Sequence, residues 1–259
     1  MTCITLLSDF GLQDASVAVA KGLLMQQVPG INIIDVSHEI TPFNTRQAAY
    51  LLALAYKKFP PSTCHISVFD LFSEPTPRLV LSLHNGHYFF APDNNLIPMA
   101  LGTLPENAWL CFELKKENTS GDWLSAAGKT IQLLQSQTPK ELGLAEYQLR
   151  QVNKAVAPLN KDVMACEVLH IDHYENVVLN ITRQQFDALS QGRRFRLQIM
   201  QVEEITEISK NYNDVREGNK LCRFNSNNYL EICVNRGNAA SLFGFRLNSK
   251  HNDIKIFFE

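Results

Sequence analysis

Apolar and polar positions along this chain alternate with two different periods, and the change of period divides the sequence. The first apolar run, Ile4 to Leu7, turns polar at Ser8-Asp9 and meets Gly11, the profile of a buried strand bounded by turn residues. Ser16 to Gln27 then carries apolar residues at Val17, Ala20, Leu23 and Leu24, which predicts a helix stopped at Pro29-Gly30. Ile31 to Val36 is the second strand; Thr45 to Lys58, rich in alanine and leucine and closed by Phe59-Pro60-Pro61, is the clearest helix. His65 to Phe69 reads as a third strand that finishes at Asp70. Leu79 to His84 and His87 to Ala91 flank Asn85-Gly86, the pair that favours a type I′ hairpin. Trp109 to Leu114 is a further strand and Trp123 to Gln135 a further helix. Strands separated by helices predict an α/β domain with a mostly parallel central sheet, the hairpin being an antiparallel addition.

The pattern lapses over Gln151 to Lys161, and a linker is expected at about residues 153–161. Beyond it the chain is almost all strand-like: Val163 to Ile171, Val177 to Ile181, Phe195 to Met200, Leu230 to Val234 and Ile254 to Phe258. Thr182 to Ser190 alone looks helical, with Gly192 as its stop. Short strands with frequent Asn and Gly turns predict a smaller antiparallel domain, a β-barrel-like or sandwich fold. Two domains are therefore expected, an α/β domain over residues 1–152 and a β domain over residues 162–259.

Composition narrows the partners more than the fold. Apolar residues make up 45% and charged residues 19% of the 259 positions, ordinary for a globular protein. A formal net charge of -2, without a basic block, argues against nucleic acid or an anionic membrane as partner. No segment has the apolar length of a membrane span. The six cysteines are scattered, with no CxxC pair, which points to reduced thiols in a cytoplasmic setting and to no metal site of cysteine type.

Candidate chemistry gathers at strand ends. Asp9, Asp70 and Asp93 each follow an apolar run, and in an open α/β sheet ligands sit beyond the carboxyl ends of the strands. An ionised carboxylate accepts two strong hydrogen bonds, which suits a hydroxyl-bearing ligand. Taken singly, the same residues, and Asp14 just before the first helix, are equally turn and N-cap aspartates. Later, IDHYEN (Ile171 to Asn176) and NSNNYLEICVN (Asn225 to Asn235) offer amides, a tyrosine ring and carboxylates that suit an aromatic heterocycle, or simply suit turns. There is no Walker motif, no GxGxxG, no HExxH and no GxSxG. His38, His65, His84 and His87 lie in different elements and read as structural or surface residues rather than a ligand set.

LLSDFGLQDASVAVAKGLL, IIDVSHEITPFNTRQAAYLL, FAPDNNL, IDHYENVVLNI and NSNNYLEICVNRGNAAS, taken together and in this order, resemble the S-adenosylmethionine (SAM) hydroxide adenosyltransferases. These SAM hydrolases are related to the fluorinase and chlorinase. The resemblance implies an α/β domain followed by a β domain, and a homotrimer with adenosine held between the N-terminal domain of one subunit and the C-terminal domain of its neighbour. It implies SAM as the substrate, no cofactor and no metal. Asp9 matches the aspartate on the ribose hydroxyls, Asp14 a polar position of the same loop, and Phe43 a position beside the sugar; Asn94 falls in the substrate-binding PDNN turn. Tyr174 matches a ring stacked on adenine, Asp172 and Asn176 residues on the polar groups of the ligand, and Ser226 a serine on the amino-acid part. The implied reaction is attack of water or hydroxide on the ribose C5′, releasing L-methionine and leaving adenosine. Asp70 and Arg78 match two of the residues that hold the attacking water.

Several positions depart from that pattern. The glycine-rich run expected after Asp70 reads DLFSEPTPR, Thr119 stands where the family has a histidine, and Glu175 and Asn95 replace glycines. Two readings follow from the resemblance: hydrolysis of SAM, or a SAM- or adenosine-binding protein of the same fold that turns it over weakly. Halide use is disfavoured, because the Asp70 carboxylate would repel an anion.

Overall fold

The computed structural model describes residues 3–115, 117–150, 160, 162–249 and 251–259, and divides the chain into two compact units, Met1–Val152 and Asn153–Glu259. The expected linker at about residues 153–161 lies outside the described residues except for Asn160.

The first unit is built on β1 (Ile4–Ser8), buried along its whole length. A strand covered on both faces must be apolar without alternation, and Ile4 to Leu7 meets that requirement. There follow α1 (Ser16–Gln27), β2 (Ile33–Ser37), α2 (Thr45–Tyr56), β3 (Cys64–Val68), β4 (Arg78–His84), β5 (His87–Pro92), α3 (Leu96–Leu101), β6 (Asn107–Glu113), α4 (Ser120–Leu133) and β7 (Ala145–Glu146). The sheet runs β2-β1-β3-β5-β4-β6-β7; the first four strands pair in parallel, and β4 and β7 run against the other five. Its parallel half is thus the half that carries the carboxyl-terminal strand ends of interest.

Successive side chains of β1 feed opposite cores, as the two-residue period of a strand requires. Ile4 and Leu6 pack with Leu24 of α1 and Trp123 and Ala127 of α4, while Leu7 packs with Ala48 and Leu52 of α2 and Leu96 of α3. The α1–α4 approach depends on Gly128, where a Cβ would stand 2.7 Å from Gln27 Cβ. Asn85 and Gly86 both take positive φ, 48° and 75°, the two left-handed residues of a type I′ turn.

The second unit comprises β8 (Val163–Cys166), β9 (Val168–Ile171), β10 (Val177–Thr182), α5 (Arg183–Ser190), β11 (Phe195–Ile199), β12 (Glu203–Ile205), β13 (Lys220–Phe224), β14 (Tyr229–Val234), α6 (Ala239–Phe243) and β15 (Ile254–Phe258). Its strands form two four-stranded antiparallel sheets, β13-β14-β10-β9 and β12-β11-β15-β8. Leu179, Ile181, Leu197, Ile232 and Ile256 lie in one apolar cluster between them. Only Glu167 separates β8 from β9, and both its amide and its carbonyl are bound by Asn180, so the chain steps from one sheet to the other at a corner. That corner gives the unit its barrel-like character.

Five elements carried no clear pattern: α3, β7, β12, β13 and α6, the last a second helix in the unit where Thr182 to Ser190 alone looks helical from the sequence. Each is short or interrupted by charge, and each is recruited by a neighbour that pairs or packs with it, as β12 is by β11 and β13 by β14. All six cysteines are free; Cys111 is partly buried and the other five are buried.

Candidate functional site

β1 and β3 are adjacent and parallel, so the residues that follow them emerge side by side on one rim of the sheet. Those residues include Asp9 and Asp70. Asp70 adopts a left-handed φ of 46° in the turn that follows β3. Burial pushes the Asp9 carboxyl above the ordinary carboxylate range, against the lowering effect of its own amide and that of Asp70. Burial also raises Asp70, and the charge of Asp9 adds to the effect. Two carboxylates held this way are strong acceptors that resist full ionisation together.

A cavity of about 290 Å³ opens over this pair, lined by Asp9, Phe10, Phe43, Asp70, Phe72 and Ser120 among others. Phe43 is 77% exposed, with a left-handed φ of 64°, and Phe72 is 62% exposed. Two bare phenyl rings beside two carboxylates form a surface that favours a flat or cationic group bearing hydroxyls. A second depression of about 430 Å³ shares Phe10 and Ser120 with the first and passes between the N-terminal ends of α1 and α4. Asp14 lines this second space, with its carboxylate engaged by the Ser16 amide at 2.8 Å. Thr119 caps α4 in a reciprocal capping box with Asp122, which places Ser120 at the cavity wall.

Other residues singled out in the sequence stand nearby but outside this cavity. Arg78 opens β4 on the same rim; its guanidinium donates to Glu113 at 3.1 Å and to Tyr147 Oη at 3.3 Å. Tyr147 in turn donates to Asp93 at 2.7 Å, and the Arg150 amide donates to the other Asp93 oxygen at 3.2 Å. Asp93 is therefore committed to a polar network that braces the rim. Asn94 donates to the Phe69 carbonyl at 2.8 Å and accepts the Leu96 amide, so its amide supports the turn that carries Asp70. Neither Arg78, Asp93 nor Asn94 lines the cavity.

In the second unit, Asp172 Oδ1 accepts the amides of Tyr174 and Asn176, and Oδ2 accepts Asn176 Nδ2 at 2.9 Å. The aspartate and the asparagine thereby fix a turn that displays the Tyr174 ring, 74% exposed. Glu175 takes the left-handed φ of 60° that suits glycine, and its carboxylate accepts the Ser241 amide at 2.8 Å at the start of α6. Ser226 is exposed in the β13–β14 turn, where Asn225 Oδ1 accepts the amides of Asn227 and Tyr229. A larger depression of about 660 Å³ in this unit holds the Glu203–Lys220 ion pair, and none of the sequence-derived site residues lines it.

His38, His65 and His87 are buried, whereas His173 and His251 are exposed. His65 is bonded to Thr5 Oγ1 at 2.7 Å and to His87 Nδ1 at 3.1 Å, and burial with the neighbouring His87 lowers its pKa to about 3. Among the described residues, no group of three or more His, Cys, Asp and Glu could hold a metal ion. No described helix is long and apolar enough to cross a membrane. Pattern reasoning missed Phe10, Phe72 and Ser120 as cavity residues; Phe10 follows Asp9 directly, whereas Phe72 reaches the cavity through the fold of its loop and Ser120 through the placement of the start of α4.

The comparisons with known proteins agree along the chain. The (R)-S-adenosyl-L-methionine hydrolase of Methanocaldococcus jannaschii is 26% identical over 254 residues, covering 92% of this chain and 90% of its own. The (R)-S-adenosyl-L-methionine hydrolase of Thermus thermophilus is 26% identical over 261 residues, covering 95% and 97%. A fluorinase of Actinoplanes is 38% identical, but over 60 residues, 23% of this chain and 20% of its own. The crystal structure of an uncharacterised conserved protein from Thermotoga maritima superposes with a TM-score of 0.80 at 25% identity, covering 99% of this chain and 100% of its own. Residues 4–132 match the SAM hydroxide adenosyltransferase N-terminal domain and residues 166–251 the corresponding C-terminal domain. With both halves matched in order, and with paired carboxylates on the rim of the first half, the chain belongs to the SAM hydroxide adenosyltransferase family.

Proposed function

We propose that this protein hydrolyses SAM to adenosine and L-methionine by attack of water or hydroxide on the ribose C5′. The observation that carries the reading is the Asp9–Asp70 pair at the ends of adjacent parallel strands, in a cavity walled by phenyl rings, within a chain whose near-full-length relatives bear the name SAM hydrolase. In this reading Asp9 accepts the ribose hydroxyls, with Asp14 on the same loop and Phe43 beside the sugar. Asp70 accepts a hydrogen bond from the attacking water.

The charge flow supports that division of roles. The substrate is a sulfonium cation; as neutral water attacks C5′, the C5′–S bond breaks, the sulfur electron pair leaves with methionine, and positive charge moves onto the incoming oxygen. A carboxylate beside the water is favoured more in the transition state than in the ground state, whereas one beside the sulfonium mainly favours binding. The proton released by the attacking water passes to Asp70 or to bulk water. The leaving group needs no activation, so the reaction calls on positioning and water exclusion and draws on no cofactor. Arg78 is the second candidate for holding the water, Asn94 for the substrate side of the rim, and Tyr174, Asp172, Asn176 and Ser226 for the adenine and amino-acid parts. The same proposal includes a homotrimer, with Asp9 of one subunit and Tyr174 of its neighbour on one nucleoside, and a cytoplasmic protein with reduced thiols.

A second reading, a SAM- or adenosine-binding protein with weak turnover, draws on two observations: Thr119 is engaged in a helix cap, and the Arg78 guanidinium is already held by Glu113 and Tyr147. Incubation of purified protein with SAM, with adenosine and methionine followed by chromatography, separates the two. Adenosine formation lost in Asp70→Ala and Arg78→Ala is the expected result; tight binding without product selects the second reading. Light scattering at known concentration tests the trimer.

A further inference from the structure

Behind Asp9 lies a polar chain that does not line the cavity. Ser8, the last residue of β1, has no exposed surface, and its Oγ lies 2.6 Å from His38 Nδ1. His38, 3% exposed, brings Nε2 to 3.0 Å from Asp35 Oδ1. Asp35 Oδ2 accepts from Lys21 Nζ at 2.6 Å. Serine, histidine and aspartate in this order have the composition of a nucleophilic triad. Yet the buried Ser8 hydroxyl is out of reach of any substrate, so nucleophilic chemistry is not its task.

Its bonds run instead to the loop. Ser8 Oγ accepts the Phe10 amide in a long contact of 3.4 Å, and the His38 carbonyl accepts the Gly11 amide at 2.7 Å. The residues after Asp9 are thus held by Ser8 and His38. The contact from His38 Nε2 to Asp35 is short but not aligned along the ring N–H, so its attraction is mainly electrostatic. The Asp35 carboxylate favours the ring proton on Nε2; Nδ1 then accepts from the Ser8 hydroxyl, whose oxygen remains free to accept Phe10 N–H. Burial works against the charge on Asp35, but Lys21 and His38 outweigh it and hold its pKa below the ordinary range. One arrangement of protons therefore serves the chain from Lys21 to Phe10, with His38 Nε2 held to Asp35 by electrostatic attraction rather than by an aligned hydrogen bond.

We propose that His38 is a positioning residue: clamped between Ser8 and the Asp35–Lys21 pair, it fixes the Ser8–Gly11 turn and so the direction in which Asp9 presents its carboxylate to the ligand. The identity of that ligand rests on the proposed function; the fixing of the turn does not.

The test uses the full chain with His38→Ala, His38→Asn and Asp35→Asn, the last at a partly exposed site that tolerates change. Amide hydrogen exchange of the 8–11 segment is measured alongside the adenosine Kd by calorimetry and the SAM KM and kcat. Expected in His38→Ala and Asp35→Asn is faster exchange confined to Phe10 and Gly11, an adenosine Kd raised on the order of 10-fold, and KM affected more than kcat. His38→Asn, whose amide can meet Ser8 from the Nδ1 position, should restore much of the loss. In an Asp9→Ala background the His38 substitutions should add nothing to the Kd. Unchanged exchange at Phe10 and Gly11, exchange raised evenly across the unit with a lower Tm, or a full additional effect in the Asp9→Ala background would each overturn the proposal. Wild-type protein that neither binds adenosine nor consumes SAM would remove the proposed function, while exchange in the variants would still decide whether His38 holds the turn.

Discussion

Asp9 and Asp70 gain their usefulness from the same burial that makes their charge costly. A partly buried carboxylate that accepts two hydroxyls makes charge-assisted bonds of about 1.5–3 kcal/mol each, so Asp9→Ala should weaken adenosine binding roughly 10²- to 10⁴-fold by calorimetry. Retained affinity in that variant would place the sugar elsewhere. In its proposed role of holding the attacking water, Asp70 acts in the transition state, so Asp70→Asn should lower kcat for SAM on the order of 10²–10⁴-fold with little change in KM. The same variant has a stability signature. Both carboxyls have raised pKa values in the folded state, so their contribution is fully present below the ordinary carboxylate range and is lost as pH rises through the raised values. At neutral pH the charged Asp70 therefore weakens the fold, and Asp70→Asn should melt higher than wild type at pH 7, the two converging below about pH 4. A wild-type Tm above that of the variant at pH 7 would contradict the electrostatic account. Asp9 and Asp70 were legible as residues because each closes an apolar run; their proximity was not, because it depends on β1 and β3 being neighbours.

At the scale of elements, the site depends on how helices begin. Thr119 and Asp122 cap α4 reciprocally, and the cap fixes where Ser120 meets the cavity. Thr119→Ala should cost about 0.5–2 kcal/mol in urea unfolding, the typical value of a lost N-cap. An unchanged midpoint would show that the cap does not hold the helix start. The cap also gives Thr119 a physical use in the fold. Glu175 is a similar case: the left-handed turn that would suit glycine is occupied by a glutamate whose carboxylate binds the amide of Ser241. Helices α1, α2, α4 and α5 were readable because apolar spacing and stop residues coincide over at least two turns. The short α3 and the charged β12 and β13 were not, because their stability comes from partners distant in sequence.

For the whole molecule, the thiols give the simplest check on the packing. All six cysteines are free, five are buried, and burial raises the pKa of Cys111, Cys166 and Cys222 to about 12. Native protein should react with less than one equivalent of a thiol reagent such as DTNB in minutes, and with six after denaturation. Rapid labelling of several thiols in the native state would mean that the cores are looser than described. Fold class, the α/β-to-β change along the chain, the hairpin at Asn85-Gly86 and the strand-end aspartates were all determined by sequence alone, because hydrophobic period and turn chemistry act over neighbouring residues. Tertiary structure alone decided which aspartates meet. It set Asp9 beside Asp70, diverted Asp93 and Arg78 into a bracing network, and tied Ser8 to Asp35 through His38. Those outcomes depend on strand order and side-chain direction, which long-range pairing fixes and which no local pattern records.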